Sequence, residues 1–207
     1  MSTGINLGFA TPLLVVDIDN EHWFADLFGV PDRPDATDKN KMGEARALVL
    51  AGIKAAIADG VVPTHLVALL PDSDRELVGA ATALGVHASP AVMHASDGDM
   101  AALCDAAHSS GAKFVCVVTA IDANAISRLQ ASGVEPDAWF VRGAAAKELE
   151  AQARAGGRDN VAVVAHGDGA LGEDGYGDAL RAWASGETDA GAVADQIGAA
   201  ITAAAGV

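Results

Sequence analysis

Short apolar runs alternate with alanine-rich stretches of helical length along nearly the whole chain, and this rhythm restricts the fold more than any other feature of the sequence. Apolar runs at 12–19, 64–70, 86–94, 113–120, 136–142 and 160–165 read as strands. The first, Pro12-Leu13-Leu14-Val15-Val16-Asp17-Ile18-Asp19, is apolar on both faces, as a strand covered on both sides must be. The spacing predicts helices over 41–60, 73–84, 97–109, from Asp122 or Asn124 to Ala131, 144–155, 176–184 and 188–204. Ser73 with Glu76 matches a capping box for the second of these. Residues 20–40, with Pro31, Pro34 and their aspartates, read as an acidic loop with one helical turn at 22–27, and residues 167–177 as a glycine-rich acidic loop. Strands joined through helices run parallel, so the expected fold is α/β, with about six mostly parallel strands and the helices outside. No linker divides the chain and no longer repeat overlies the βα unit, so residues 1–207 are expected to form a single domain.

Composition narrows the partners. The chain is 51% hydrophobic, enough in 207 residues for a real core, but only 4% aromatic, so Ala, Val and Leu must build it. Its formal charge is −15, which excludes a basic stripe for nucleic acid and disfavours anionic membrane surfaces. No run of about 18 apolar residues could span a bilayer, and Met1 to Ala10 lacks the basic and apolar regions of a signal peptide. Cys104 and Cys116 lack metal-type spacing and sit in apolar surroundings, as buried thiols do. A reducing cytoplasm is therefore the expected compartment.

Several segments carry a resemblance. Glu135-Pro136-Asp137-Ala138-Trp139-Phe140-Val141-Arg142-Gly143 resembles a strand that typically reads Glu-Pro-Asp-Val-Trp-Lys-(Ile/Leu)-Glu-Gly. That strand is the sixth of an aldolase-like (β/α)8-barrel family: the C-terminal domain fused to 5-dehydro-2-deoxygluconokinase in inositol catabolism, distantly similar to tagatose-bisphosphate aldolases. Leu13 to Val30 resembles the family's first strand and keeps Asp17 and the Leu27-Phe28-Gly29 turn, while Ile18 and Asp19 replace a His-Arg pair. Gly111-Ala112-Lys113-Phe114 to Thr119 resembles the fifth strand, with Val117 in place of a glutamate. Gly157-Arg158-Asp159-Asn160-Val161 resembles the link into the seventh, which in the family ends Leu-Gly-Arg-Gly and here reads His166-Gly167-Asp168-Gly169. Strands four and eight have no counterpart. The similarity covers 12–30 and 111–169 well, and it implies an abridged TIM-barrel-like domain.

The substitutions remove the family's chemistry. A Schiff-base aldolase needs an amine of lowered pKa at a strand end; Phe140 stands where that lysine would be. Lys113 lies at the start of its strand, whereas barrel active sites form at the C-terminal ends. Asp168 replaces an arginine suited to phosphate.

The strand ends carry acids and imidazoles instead: Asp17, Asp19, Asp72, His94, Arg142, His166 and Asp168. Asp17 and His166 are the candidate acid–base pair, with Asp19, Arg142, Asp168 and His94 as candidate binding residues. Such side chains serve equally as metal ligands, and their spacing selects neither role; Asp72, abutting Ser73, reads as a helix cap. His22, His65, His87 and His108 have no comparable placement. The loop 167–177 lacks the spacing of Gly-x-Gly-x-x-Gly and no Walker lysine follows it, so no nucleotide cofactor is expected.

Two functions follow from the resemblance. One is a divergent relative without Schiff-base activity that binds a small molecule or a protein partner. The other is a carbohydrate-metabolising carbon–carbon lyase, working by Asp/His acid–base or metal chemistry. A homo-oligomer is also expected, because an abridged barrel exposes strand edges. The small-residue helix at 190–205 either joins two copies or plugs its own chain's gap.

Overall fold

The computed structural model describes residues 13–19, 21–30, 34–71, 74–90, 97–111, 113–119, 125–142, 146–163 and 170–207. Its elements run β1 (Leu14–Asp17), α1 (Glu21–Leu27), α2 (Ala36–Ala58), β2 (Leu66–Leu70), α3 (Arg75–Ala83), β3 (His87–Pro90), α4 (Asp97–Ser109), β4 (Val115–Thr119), α5 (Ala125–Ala131), β5 (Ala138–Arg142), α6 (Ala146–Ala155), β6 (Val161–Val163), β7 (Ala170–Leu171), α7 (Glu173–Ala184) and α8 (Ala190–Ala205). The fold is mixed α/β, and every strand pairing is parallel.

One sheet is ordered β3-β2-β1-β7 and the other β4-β5-β6. A single parallel bridge, Ala88 to Phe114, joins β3 to the chain entering β4. The order is therefore β7-β1-β2-β3-β4-β5-β6, with no switch point of the kind that marks doubly wound sheets. Among the described residues β6 and β7 do not pair with each other, so the ladder is not closed there. The strand beyond the expected set is β7. It lies inside the segment read as a glycine-rich loop, because two residues have no periodicity of their own; pairing of Ala170 and Leu171 with Val15 and Val16 makes it a strand.

The two faces of the strands bury different cores. Leu14, Val16, Leu66, Ala68, Leu70 and Trp139 pack outward with the apolar sides of the helices. On the other face Leu13, Val15, Val67, Leu69, Val115, Ala138 and Phe140 form a second, separate cluster. Its members come from the β1–β2 and β4–β5 pairs and meet across β3. Strand spacing alone would hold β2 and β4 about 10 Å apart, so the sheets curl with this face inside.

Two local readings need correction, and a third is decided. The acidic stretch is not wholly loop, because α2 already begins at Ala36. Asp35 caps it, accepting from the N–H groups of Thr37 at 2.7 Å and Asp38 at 2.9 Å, while Asp38 accepts from the Asp35 N–H at 3.1 Å. Acids near positive helix ends are stabilising, which is why an acidic run becomes the first turn. For α3 the cap is Asp74, accepting from the Leu77 N–H at 3.0 Å, and the expected Ser73 lies outside the described residues. Finally, α8 places Val193, Ile197, Gly198 and Ile201 in the interior and packs along α2. Of the two placements the sequence allowed for this helix, this is the one within its own chain.

Candidate functional site

Asp17 ends β1 on the inner face, two residues beyond Val15, and is only 4% exposed. Its carboxylate accepts from the Asp19 N–H at 3.1 Å, a local turn that holds the side chain at the strand end. The Asp17 carbonyl accepts from the hydroxyl of Tyr176 on α7, and a Cβ on Gly172 would lie 3.7 Å from that of Asp17. Asp19 is partly exposed.

Aromatic rings surround this strand end. Trp23 meets Phe24 edge-on at 4.7 Å and Tyr176 at 5.8 Å, and Arg46 of α2 lies over the Phe24 ring at 5.2 Å. Burial pushes the Tyr176 phenol well above its ordinary value; the Asp17 charge raises it further and the Arg46 charge opposes both. Asp17 and Arg46, opposite charges, therefore act on one phenol. Sequence reasoning passed over Tyr176 and Arg46, since only packing brings Tyr176 to the end of β1 and Arg46 over Phe24.

Strand register extends the site sideways. Asp17 pairs with Leu69, and Leu69 with Ser89 of β3, so the three share one row of the inner face. Ser89 is fully buried, and its hydroxyl has no hydrogen-bond partner among the described residues. It too was missed, lying in an Ala-Ser-Pro run with no motif around it. Arg142 is the last residue of β5, in register with Thr119, and its backbone position shares the parity of Ala138 and Phe140. The fold thus brings the Asp17 and Arg142 positions to the same end of the strands. His94, His166 and Asp168 lie outside the described residues. Phe140 is fully buried in the inner cluster.

The opposite end of the strands is stitched by structural ion pairs. Asp137, just before β5, accepts from Lys113 at 3.0 Å and from the Phe114 N–H at 3.1 Å, and pairs with His108 at 3.1 Å. Burial works to raise the Asp137 carboxyl, but the Lys113 and Phe114 hydrogen bonds and the Lys113 and His108 charges together hold it below its ordinary value. Lys113 is the solvated residue at a strand start that the sequence suggested. Cys104 lies 3.9 Å from His108, yet it donates to the Glu135 carbonyl at 3.2 Å and burial pushes its thiol up to about 11. Burial and that hydrogen bond are those of a protonated structural thiol. Cys116, also buried, is likewise raised by desolvation.

Among the described residues no three His, Cys, Asp or Glu side chains converge to hold a metal ion, and no helix is long and apolar enough to cross a membrane. Comparison with known proteins found no family model, no curated protein and no solved structure that matches the chain.

Proposed function

We propose that this chain is a divergent, abridged aldolase-like barrel that binds a small molecule at the C-terminal ends of its strands and forms no lysine Schiff base. The observation carrying this reading is the make-up of the inner face. Phe140 fills the place of the lysine and is sealed into the inner cluster, while Asp17 is the buried acid at the end of β1. The sequential parallel order from β7 through β6 and the inward curl support a barrel-like ancestry. A buried strand end suits a small molecule better than a protein partner, which needs a broad exposed patch. Self-association through α8 is not part of this reading, since that helix covers α2.

Borohydride reduction of the full chain with dihydroxyacetone phosphate tests the claim directly. The intact mass should stay unchanged, and an adduct on any lysine overturns the reading. Aldol cleavage without an adduct, abolished by Asp17→Asn, would instead favour the acid–base lyase.

A further inference from the structure

A parallel strand turns the N–H and C=O of successive residues to opposite sides, so in an outermost strand every second residue faces away from the sheet. Among the described residues β6 is outermost and pairs only with β5. The Trp139 N–H donates to the Asn160 carbonyl at 2.9 Å, so Asn160 faces β5 and Val161, in register with Trp139, turns its backbone groups away. The Val161 carbonyl is nevertheless taken: Nη2 of Arg154, in the last turn of α6, donates to it at 2.9 Å. Nε of the same guanidinium donates to Glu150 at 3.2 Å, one helical turn back. We propose that Arg154, aimed by Glu150, blocks the outer edge of β6 against pairing with the same strand of a second copy.

The sequence makes this the edge that needs closing. Asn160-Val161-Ala162-Val163-Val164-Ala165 is uncharged, rich in valine and free of Gly and Pro, the composition that pairs readily with its own kind. At the other end of the ladder β7 has only two residues, and so short an edge offers little to pair with. A carbonyl bonded only to water is readily yielded to an incoming N–H. A carbonyl bonded to a guanidinium holds a charge-assisted hydrogen bond, stronger than the neutral one that would replace it. Arginine does not lose its proton in proteins, so a second β6 would have to displace the cation or enclose it beside its own symmetry mate. Enclosing like charges without partners is strongly unfavourable. Glu150 fixes the side chain before any encounter, so the edge is closed in the free chain.

Light scattering and hydrogen exchange on the full chain test this together. Two β6 edges joined about a two-fold axis use each other up, so assembly through them stops at two copies. Arg154→Ala frees the Val161 carbonyl and removes the charge. With rising concentration its mass should about double relative to the wild type, and amide exchange in the peptide spanning β6 should slow as the edge pairs. Arg154→Lys keeps a cation at the edge and should behave as the wild type. Arg154→Ala with the mass of the wild type at every concentration overturns the proposal. So does association with unchanged or faster exchange in β6, the mark of a loosened chain sticking elsewhere. Association of Arg154→Lys as strong as that of Arg154→Ala also overturns it, since the charge would then not be what opposes pairing.

Discussion

Strand β3 turns two polar side chains inward within three residues, and the fold treats them oppositely. His87 has a partner: its Nε2 lies 2.9 Å from the Thr64 carbonyl. Ser89, two residues on, has no such partner among the described residues. Burial is the largest influence on His87 and pulls its pKa below the ordinary 6.5, against the opposing pull of the Thr64 and Lys113 backbone groups. The folded chain therefore holds His87 neutral where the unfolded chain would protonate it. Its contribution is complete above pH 6.5 and is lost as pH falls from there toward the folded value. The slope is at most about 1.4 kcal/mol per pH unit for one proton. Urea unfolding at pH 7.5 and 5.5 should show a larger loss for the wild type than for His87→Gln. Equal losses would show that His87 does not carry this dependence.

At the scale of elements, the contact between α2 and α8 holds the C-terminus. Gly52 and Gly198 let the two helices approach without side chains between them. A Cβ on Gly198 would lie 2.8 Å from the Ala55 Cβ and 3.1 Å from the Gly52 carbonyl oxygen, and one on Gly52 2.6 Å from the Ile197 Cβ. Gly198→Ala gains about 1 kcal/mol of helix propensity, but forcing the helices apart costs about 1–3 kcal/mol. Backbone on one side cannot yield, so the clash prevails. The urea midpoint should fall, and a rise would mean that α8 re-seats freely on α2. Both glycines lie inside helices that the sequence predicts, at 41–60 and 188–204. Their purpose was not legible there, because the partner surface lies more than a hundred residues away along the chain.

For the whole molecule, the inner cluster decides whether two sheets behave as one body. Leu13, Val15, Val67 and Leu69 meet Val115, Ala138 and Phe140 there, on either side of the single Ala88–Phe114 bridge. Neither half keeps this core alone, so unfolding should be one cooperative transition. Trp139 of β5 reports on one sheet, while Trp23 of α1 and Trp183 of α7 report on the other. A variant with Trp23→Phe and Trp183→Phe should lose Trp139 fluorescence at the same urea concentration as its helical circular dichroism. Separate midpoints would divide the chain into two folding units.

The sequence by itself determined the alternation of strand and helix, the parallel sense of the strands and the apolar runs that became the core. Each is a local consequence of side-chain period, and period needs no tertiary partner. Asp17 was legible for the same reason, as the acid that ends an apolar strand. The two-residue β7, the 159-residue reach from Tyr176 to Asp17 and the row linking Asp17 to Ser89 were not. Each exists only through pairing or packing between distant segments, so nothing near it in the chain announces it. The small-residue α8 shows the limit most plainly. Its composition allowed a partner copy or a place within its own chain with equal chemistry, and only the tertiary structure shows it on α2, where Gly52 leaves the space that Ile197 fills and Gly198 lets the two backbones close.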